Sequence, residues 1–91
     1  MKVHGHEITG IVTQSAFEDM PIDFHFYRLQ RALEDYGVPA ASDISMRAAV
    51  RLLQKWRRQG LVEFDRKKRG WRKTRLAGEA MGLVVPRKER G

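Results

Sequence analysis

With 91 residues, the chain has room for one domain with a single modest core. Its 18 Lys and Arg against 11 Asp and Glu give a net charge of +7, which favours a polyanionic partner. Cysteine is absent, so disulfides and thiolate metal sites are excluded. We expect one domain over residues 1–91, ordered from about 8 to 82, with mobile ends at 1–7 and 86–91.

Membrane insertion and secretion are not indicated by the sequence. No apolar run approaches the roughly 18 residues that a spanning helix needs. The first ten residues also lack the apolar stretch of a signal peptide. We therefore expect a cytoplasmic protein with no membrane partner.

The first predicted helix follows Thr9, which is a suitable N-cap, and ends before Pro21. Its apolar residues recur at helical spacing at Ile8, Ile11, Val12, Ala16 and Phe17. A strand is the alternative over residues 2–12, because Thr and Ile favour strands while Gly5 and Gly10 weaken a helix. The absence of strict alternation favours the helix.

A second helix is predicted over about 24–36, with Asp23 as its N-cap and Gly37 as its stop. A third is predicted over about 46–59, capped by Asp43 or Ser45 and ended by Gly60. Its predicted apolar stripe consists of Met46, Ala49, Val50, Leu53 and Trp56, with Leu52 on the flank. Its opposite face carries no acid and consists of Arg47, Arg51, Gln54, Lys55 and Arg58.

Two β-prone runs, "LVEFD" and "GWRKTRL", follow Gly60 and are joined by "RKKRG". They predict an antiparallel hairpin in which Gly70 supplies a positive φ. Apolar residues alternate with the charges, which favours a folded element over a disordered basic tail. A further helical turn or two is expected within residues 76–85, "LAGEAMGLVV". The cations of this stretch are Arg66, Lys67, Lys68, Arg69, Arg72 and Lys73.

The order of three helices and a basic hairpin is that of a winged helix-turn-helix domain. The stretch "SMRAAVRLLQKWRRQGLVEFDRKKRGWRKTRLAGEAMG" resembles the signature of bacterial MarR-like and PadR-like regulators. Residues at the cap, core face and strand turn of that pattern are Ser45, Ala49, Leu53, Trp56, Gly60, Leu61 and Val62, and Leu76 with Ala77 stand where it has Leu-Thr. The resemblance implies a mainly α fold with a two-stranded wing.

Such a fold suits double-stranded DNA, because a helix enters the major groove while a basic ribbon follows the phosphates. We expect groove contacts from Arg47, Arg51, Gln54 and Lys55, and phosphate contacts from Arg58 and the six cations of the hairpin. The predicted function is sequence-specific binding by a small transcriptional regulator, repressor-like, of a prokaryote, phage or mobile element. The alternatives are a protein–protein adaptor and a replication or recombination accessory protein without strong sequence preference.

Other chemistry is weakly indicated. His4, His6 and His25 invite a metal site, but no nearby ligand completes one. No catalytic constellation or phosphate-binding glycine loop is recognisable, so we expect neither an enzyme nor a cofactor or small-molecule ligand. Trp71 either stacks on a base or, as we favour, packs back onto the third helix or a flanking Arg stem.

A homodimer is expected, because one recognition helix reads too few base pairs to define a unique site. The candidate interface is the N-terminal apolar set, followed by residues 81–85. The N-terminal set consists of Val3, Ile8, Ile11, Val12 and Phe17.

Overall fold

The computed structural model describes residues 1–75, about half of which are helical. The helices are α1 (Gly10–Asp19), α2 (Phe26–Asp35) and α3 (Ile44–Arg58). The strands are β1 (Lys2–Val3), β2 (His6–Glu7), β3 (Asp23–Phe24), β4 (Val62–Asp65) and β5 (Gly70–Lys73). The three predicted helices and the basic hairpin are thus confirmed, whereas the helical turns expected within 76–85 lie outside the described residues.

None of the helices within residues 1–75 has the length and apolar character needed to cross a membrane. The strands form two small antiparallel sheets, one of β1 and β2 and one in the order β3–β5–β4. Strand β3 stabilises the basic hairpin of β4 and β5, because an isolated two-stranded ribbon is only marginally stable in water.

The predicted start of the second helix, at about residue 24, is wrong because strand β3 occupies Asp23 and Phe24. Asp23 and Phe24 pair with Arg72 and Trp71 of β5, so α2 begins only at Phe26. Asp23 therefore does not cap the helix, and His25 at the cap position makes no side-chain capping bond. The buried Phe24 side chain ties this short strand to the core.

The N-terminal segment forms a hairpin, where the sequence analysis expected a mobile end. The turn between β1 and β2 is made by His4 and Gly5, with φ of 50° and 80°. Val3 in β1 and Ile8 after β2 are both buried, which anchors the hairpin to the core. The strand alternative for residues 2–12 is therefore correct for the first part of that range, and the Thr9-capped helix is correct for the rest.

The apolar face of α3 differs from the predicted stripe. Its buried residues are Ile44, Ser45, Ala48, Ala49, Leu52, Leu53 and Trp56. Val50 and Met46, which the sequence analysis assigned to this face, are 41% and 37% exposed. The core face is therefore centred nearer Leu52 than the predicted stripe was.

The connection between α2 and α3 begins at Gly37, whose φ of 95° ends α2 as predicted. A short 3₁₀ turn, Ala41–Asp43, leads into α3. Ser42 and Asp43 adopt left-handed conformations there, with φ of 56° and 58°. Neither predicted cap operates, because Asp43 makes no side-chain capping bond and Ser45 lies inside the helix.

Candidate nucleic-acid interface

The outward face of α3 is cationic and contains no acid. Arg47, Gln54 and Arg58 share one side of the helix, since residues seven and eleven apart lie nearly one above the other at 3.6 residues per turn. All three are exposed. Arg57, which the sequence analysis did not select, is also exposed in the last turn, where its charge is favourable at the helix C-terminus.

Arg51 and Lys55 lie toward one edge of this face. The Arg51 guanidinium Nη1 donates a 2.6 Å hydrogen bond to the backbone carbonyl of Lys2 in β1. Arg51 therefore fastens the N-terminal hairpin to α3, through a contact between residues 49 apart that helical periodicity does not predict. The Arg51 side chain is exposed, so its other guanidinium N–H groups can still donate hydrogen bonds to a ligand.

A groove of about 500 Å³ lies between the N-terminal hairpin and α3. Its apolar lining comes from both elements, and no acid borders it. The lining residues are Val3, His4, Met46, Arg47, Val50 and Arg51. The predicted recognition surface therefore includes a concave part that apolar side chains and two arginines line.

The turn joining β4 to β5 carries four consecutive cations at residues 66–69, here called the cationic tip. All four side chains are exposed. Asp65 organises the turn, because its Oδ1 accepts hydrogen bonds from the backbone N–H groups of Lys67 and Lys68, at 2.9 and 3.2 Å. The positive φ predicted for Gly70 occurs instead at Arg69, with φ of 54°.

Gly70 has a different role, which is close packing. A Cβ atom at this position would lie 3.1 Å from the His25 ring and 3.2 Å from the Phe24 carbonyl oxygen. The glycine thus lets β5 approach the segment between β3 and α2.

Arg72 and Lys73 are placed differently from the other predicted hairpin contacts. Arg72 lies opposite Glu63 and forms a 3.9 Å ion pair with Asp23, so neighbouring acids offset its charge. Lys73 lies opposite the buried Val62 and therefore on the core-facing side of the sheet. Both residues are set apart from the cationic tip.

The amine of Lys73 sits over the ring of Phe17, with Nζ 4.6 Å from the ring centroid. Partial burial lowers the pKa of this amine, while the carboxylates of Glu18 and Asp19 act in the opposite direction. Burial dominates, so the surroundings disfavour the charged form. Lys73 thus belongs to the packing between α1 and the sheet.

Trp71 packs against the protein, and its ring contact is with Phe64, a partner that the favoured alternative did not name. Its ring meets that of Phe64 across the hairpin, with centroids 5.2 Å apart and an interplanar angle of 64°. Trp71 is half-buried against the core, whereas Phe64 is 44% exposed. The pair stiffens the hairpin below the cationic tip.

A polar link fixes α3 against α2. The hydroxyl of the fully buried Ser45 donates a 2.7 Å hydrogen bond to Glu34 Oε2, and Gln30 Nε2 lies 3.4 Å from the same hydroxyl. Hydrogen bonds are directional, so this link restrains rotation of α3 about its axis. The orientation of its outward face is fixed accordingly.

Within residues 1–75, no three His, Cys, Asp or Glu side chains gather closely enough to hold a metal ion. Comparisons of the chain with models of protein families, with curated proteins and with solved structures found no match.

Proposed function

We propose that this chain is a winged helix-turn-helix domain that binds double-stranded DNA. The observation that carries the proposal is the pairing of an acid-free outward face on α3 with a cationic tip of four residues on the hairpin that follows it. An acid-free cationic face followed along the chain by a turn of four cations favours a polyphosphate, because each neutralised phosphate releases counterions. A solvated surface has no such need and usually mixes both signs of charge.

Helix α3 is the recognition helix of the proposed complex. A helix with its side chains is about 10–12 Å wide, and the major groove is about 12 Å wide. Arg47 at the centre of the outward face suits the O6 and N7 acceptors of guanine, and Gln54 suits the N6 and N7 edge of adenine. Arg58, at the C-terminal end of the same face, suits a phosphate.

The cationic tip supplies sequence-independent affinity. Its four side chains are carried on a turn that Asp65 holds in one conformation, and the hairpin below is braced by β3 and by the Phe64–Trp71 pair. Such a rigid basic ribbon can follow the phosphates or the edge of the minor groove. We exclude Arg72 and Lys73 from this set, since Asp23 and Phe17 engage them.

In the cell, the proposed role is transcriptional regulation of repressor type in a prokaryote, phage or mobile element. The protein would act at the nucleoid as a homodimer that occupies an operator with two half-sites.

A DNA accessory protein without strong sequence preference is the second candidate. It is favoured by the engagement of Arg51 with the Lys2 carbonyl, which leaves Arg47 and Gln54 as the main base-reading side chains at the centre of α3. Two such contacts give limited discrimination unless symmetry doubles them.

Selection of bound sequences from a random duplex library of about 25 bp tests the proposal, because two half-sites one helical turn apart fit that length. A regulator enriches one symmetric motif, whereas an accessory protein binds without enrichment. Absence of binding to any duplex at low salt would refute DNA binding and favour the protein–protein adaptor.

Arg47→Ala and Arg31→Ala form a matched pair for this experiment. Both remove one exposed arginine, but Arg31 lies on α2 in an ion pair with Asp35. We expect Arg47→Ala to weaken binding to the selected motif by 1–3 kcal/mol, roughly the discrimination of one bidentate base contact. Arg31→Ala should leave the affinity within a fewfold of the wild type, because it removes only a surface charge.

A further inference from the structure

Val50 and Met46 are exposed aliphatic side chains in the middle of a cationic surface. Val50 lies three residues after Arg47 and four before Gln54, so all three share the outward face. Single apolar side chains are common on protein surfaces. Val50, however, lies between the two positions proposed to read bases, so a contact of its side chain with DNA has to be considered. The core does not explain the position of Val50, because the buried face of α3 lies on the other side.

The groove beside Val50 has the character of a site for an apolar group flanked by negative charge. Val3 of the N-terminal hairpin and Val50 of α3 contribute aliphatic surface, and the cationic residues Arg47 and Arg51 also line the groove. Arg51 also holds the hairpin in place through the Lys2 carbonyl, which keeps the two walls together. The surface is therefore preformed.

One group on duplex DNA matches this surface. The C5-methyl of thymine is the apolar feature among the base edges of the major groove, where the other groups are hydrogen-bond donors and acceptors. Neither an adenine nor a guanine edge offers an aliphatic partner to Val50.

We infer that Val50 is a specificity-determining residue that contacts the methyl group of a thymine in the target site; this inference rests on the proposed function. Val50 is three positions after Arg47, which corresponds to about 4.5 Å along the helix axis at 1.5 Å per residue. This distance lies between one and two of the roughly 3.4 Å steps from one base pair to the next. The thymine therefore lies one or two base steps from the guanine that Arg47 reads. Each half-site contains such a pair.

Replacement of single thymines by deoxyuridine tests this contact, because it removes the methyl group and leaves every hydrogen-bonding group in place. The duplex is the one selected by the wild-type protein, and affinity is measured by fluorescence anisotropy for each substituted position. At one thymine per half-site we expect a loss of about fourfold, the value of one buried methyl-sized group. At the remaining thymines the affinity should not change.

The variant Val50→Ala should remove this sensitivity, so that thymine and deoxyuridine duplexes bind equally. Ile22→Ala is the matched control, because Ile22 is also an exposed aliphatic residue but lies next to β3. It should retain the fourfold ratio. Circular dichroism and thermal unfolding establish that both variants are folded, which is expected because both side chains are exposed.

The outcomes separate the two proposals. Failure of the wild-type protein to bind any duplex would overturn the proposed function and this inference together. Binding that is unaffected by deoxyuridine at every position would overturn the inference alone. A thymine-to-deoxyuridine loss that persists in Val50→Ala would assign the methyl contact to another residue and would also overturn it.

Discussion

At the scale of single residues, Lys73 shows how strand alternation overrides composition. It belongs to a dense run of cations in the sequence, and charge alone groups it with its neighbours. In the sheet it lies opposite the buried Val62, so its side chain is on the core-facing side, and its amine reaches the ring of Phe17. A one-residue step along a strand thus separates a surface cation from a core-facing one.

The lowered pKa of Lys73 predicts a dependence of stability on pH. Between the lowered pKa of the folded state and the ordinary lysine pKa of 10.5, the unfolded chain binds more protons at this site than the folded one. This site therefore makes stability rise with pH in that window. The comparison is between the wild type and Lys73→Met, by denaturant unfolding at several pH values from neutral to above 10.5. We expect the wild type to gain stability relative to the variant as pH rises through the window. A difference independent of pH would contradict the lowered pKa.

Gly70 gives a second prediction at this scale. In Gly70→Ala, the new Cβ would press on the His25 ring and the Phe24 carbonyl oxygen, both at about 3.1–3.2 Å. Because the carbonyl belongs to the paired strand β3, we expect a loss of about 1–3 kcal/mol in the free energy of unfolding, as for other overpacked sites. Chemical denaturation measures it.

The control for that variant is Gly10→Ala. Gly10 is the first residue of α1, and a Cβ there meets no atom within 4 Å. Alanine also favours helix over glycine by up to about 1 kcal/mol. We therefore expect unchanged or slightly higher stability, and equal losses in the two variants would show that close packing at Gly70 is not the cause.

At the scale of elements, the basic hairpin and α3 divide the proposed work between affinity and sequence choice. Simultaneous replacement of Lys67, Lys68 and Arg69 by Ala should weaken binding to all duplexes alike. Five phosphate contacts, from the cationic tip and Arg58, predict a slope of log K against log salt of about −4.5 for the wild type, and two remaining contacts predict about −2 for the variant. Anisotropy titrations over a range of salt concentrations measure both slopes. A change of preferred sequence in the variant would instead show that the tip reads bases.

The elements also show what the sequence alone could and could not predict. Helices with strong caps or stops, such as α1 after Thr9 and α2 before Gly37, are found because local chemistry determines them. Strand β3 could not be found this way, because two residues carry no periodicity and pair only with a strand almost fifty residues later. The N-terminal hairpin depends likewise on a distant contact, that of Arg51 with Lys2.

The candidate site was predictable in part for the same reasons. The cations at 66–69 follow from the hairpin pattern, and Arg47, Gln54 and Arg58 follow from helical spacing. The exposure of Val50 does not follow from the sequence, because its hydrophobicity predicts burial. Which aliphatic residues of α3 remain exposed depends on how α2 and β1 pack against this helix.

At the scale of the whole molecule, the expected dimer interface must be narrower than the N-terminal apolar set. Val3, Ile8 and Phe17 are buried within the protomer, and Val12 is half-buried. Ile11 is 79% exposed and is the member of the set that remains fully available to a second copy. The other candidate segment, residues 81–85, lies outside the described part of the chain.

We expect the wild type to have a dimeric mass by light scattering at about 100 µM. At this concentration the dimer is populated even if the association is only moderately strong. Ile11→Asp should shift the mass toward the monomer, because it would place a charge in an apolar contact. Ile22→Asp, at another exposed isoleucine, serves as the control and should remain dimeric. A monomeric mass for the wild type would refute the dimer, and a dimeric Ile11→Asp would move the interface away from α1.

The link from Ser45 to Glu34 has a consequence for how this surface could change during evolution or in the laboratory. Since a directional bond and an inward apolar face hold α3 in position, the fold does not depend on the identities of the outward residues 47, 50, 54 and 58. A library randomised at these four positions should consist largely of folded proteins, each with its own preference for DNA. The protein would then be a scaffold whose binding specificity can be changed without loss of its folding stability.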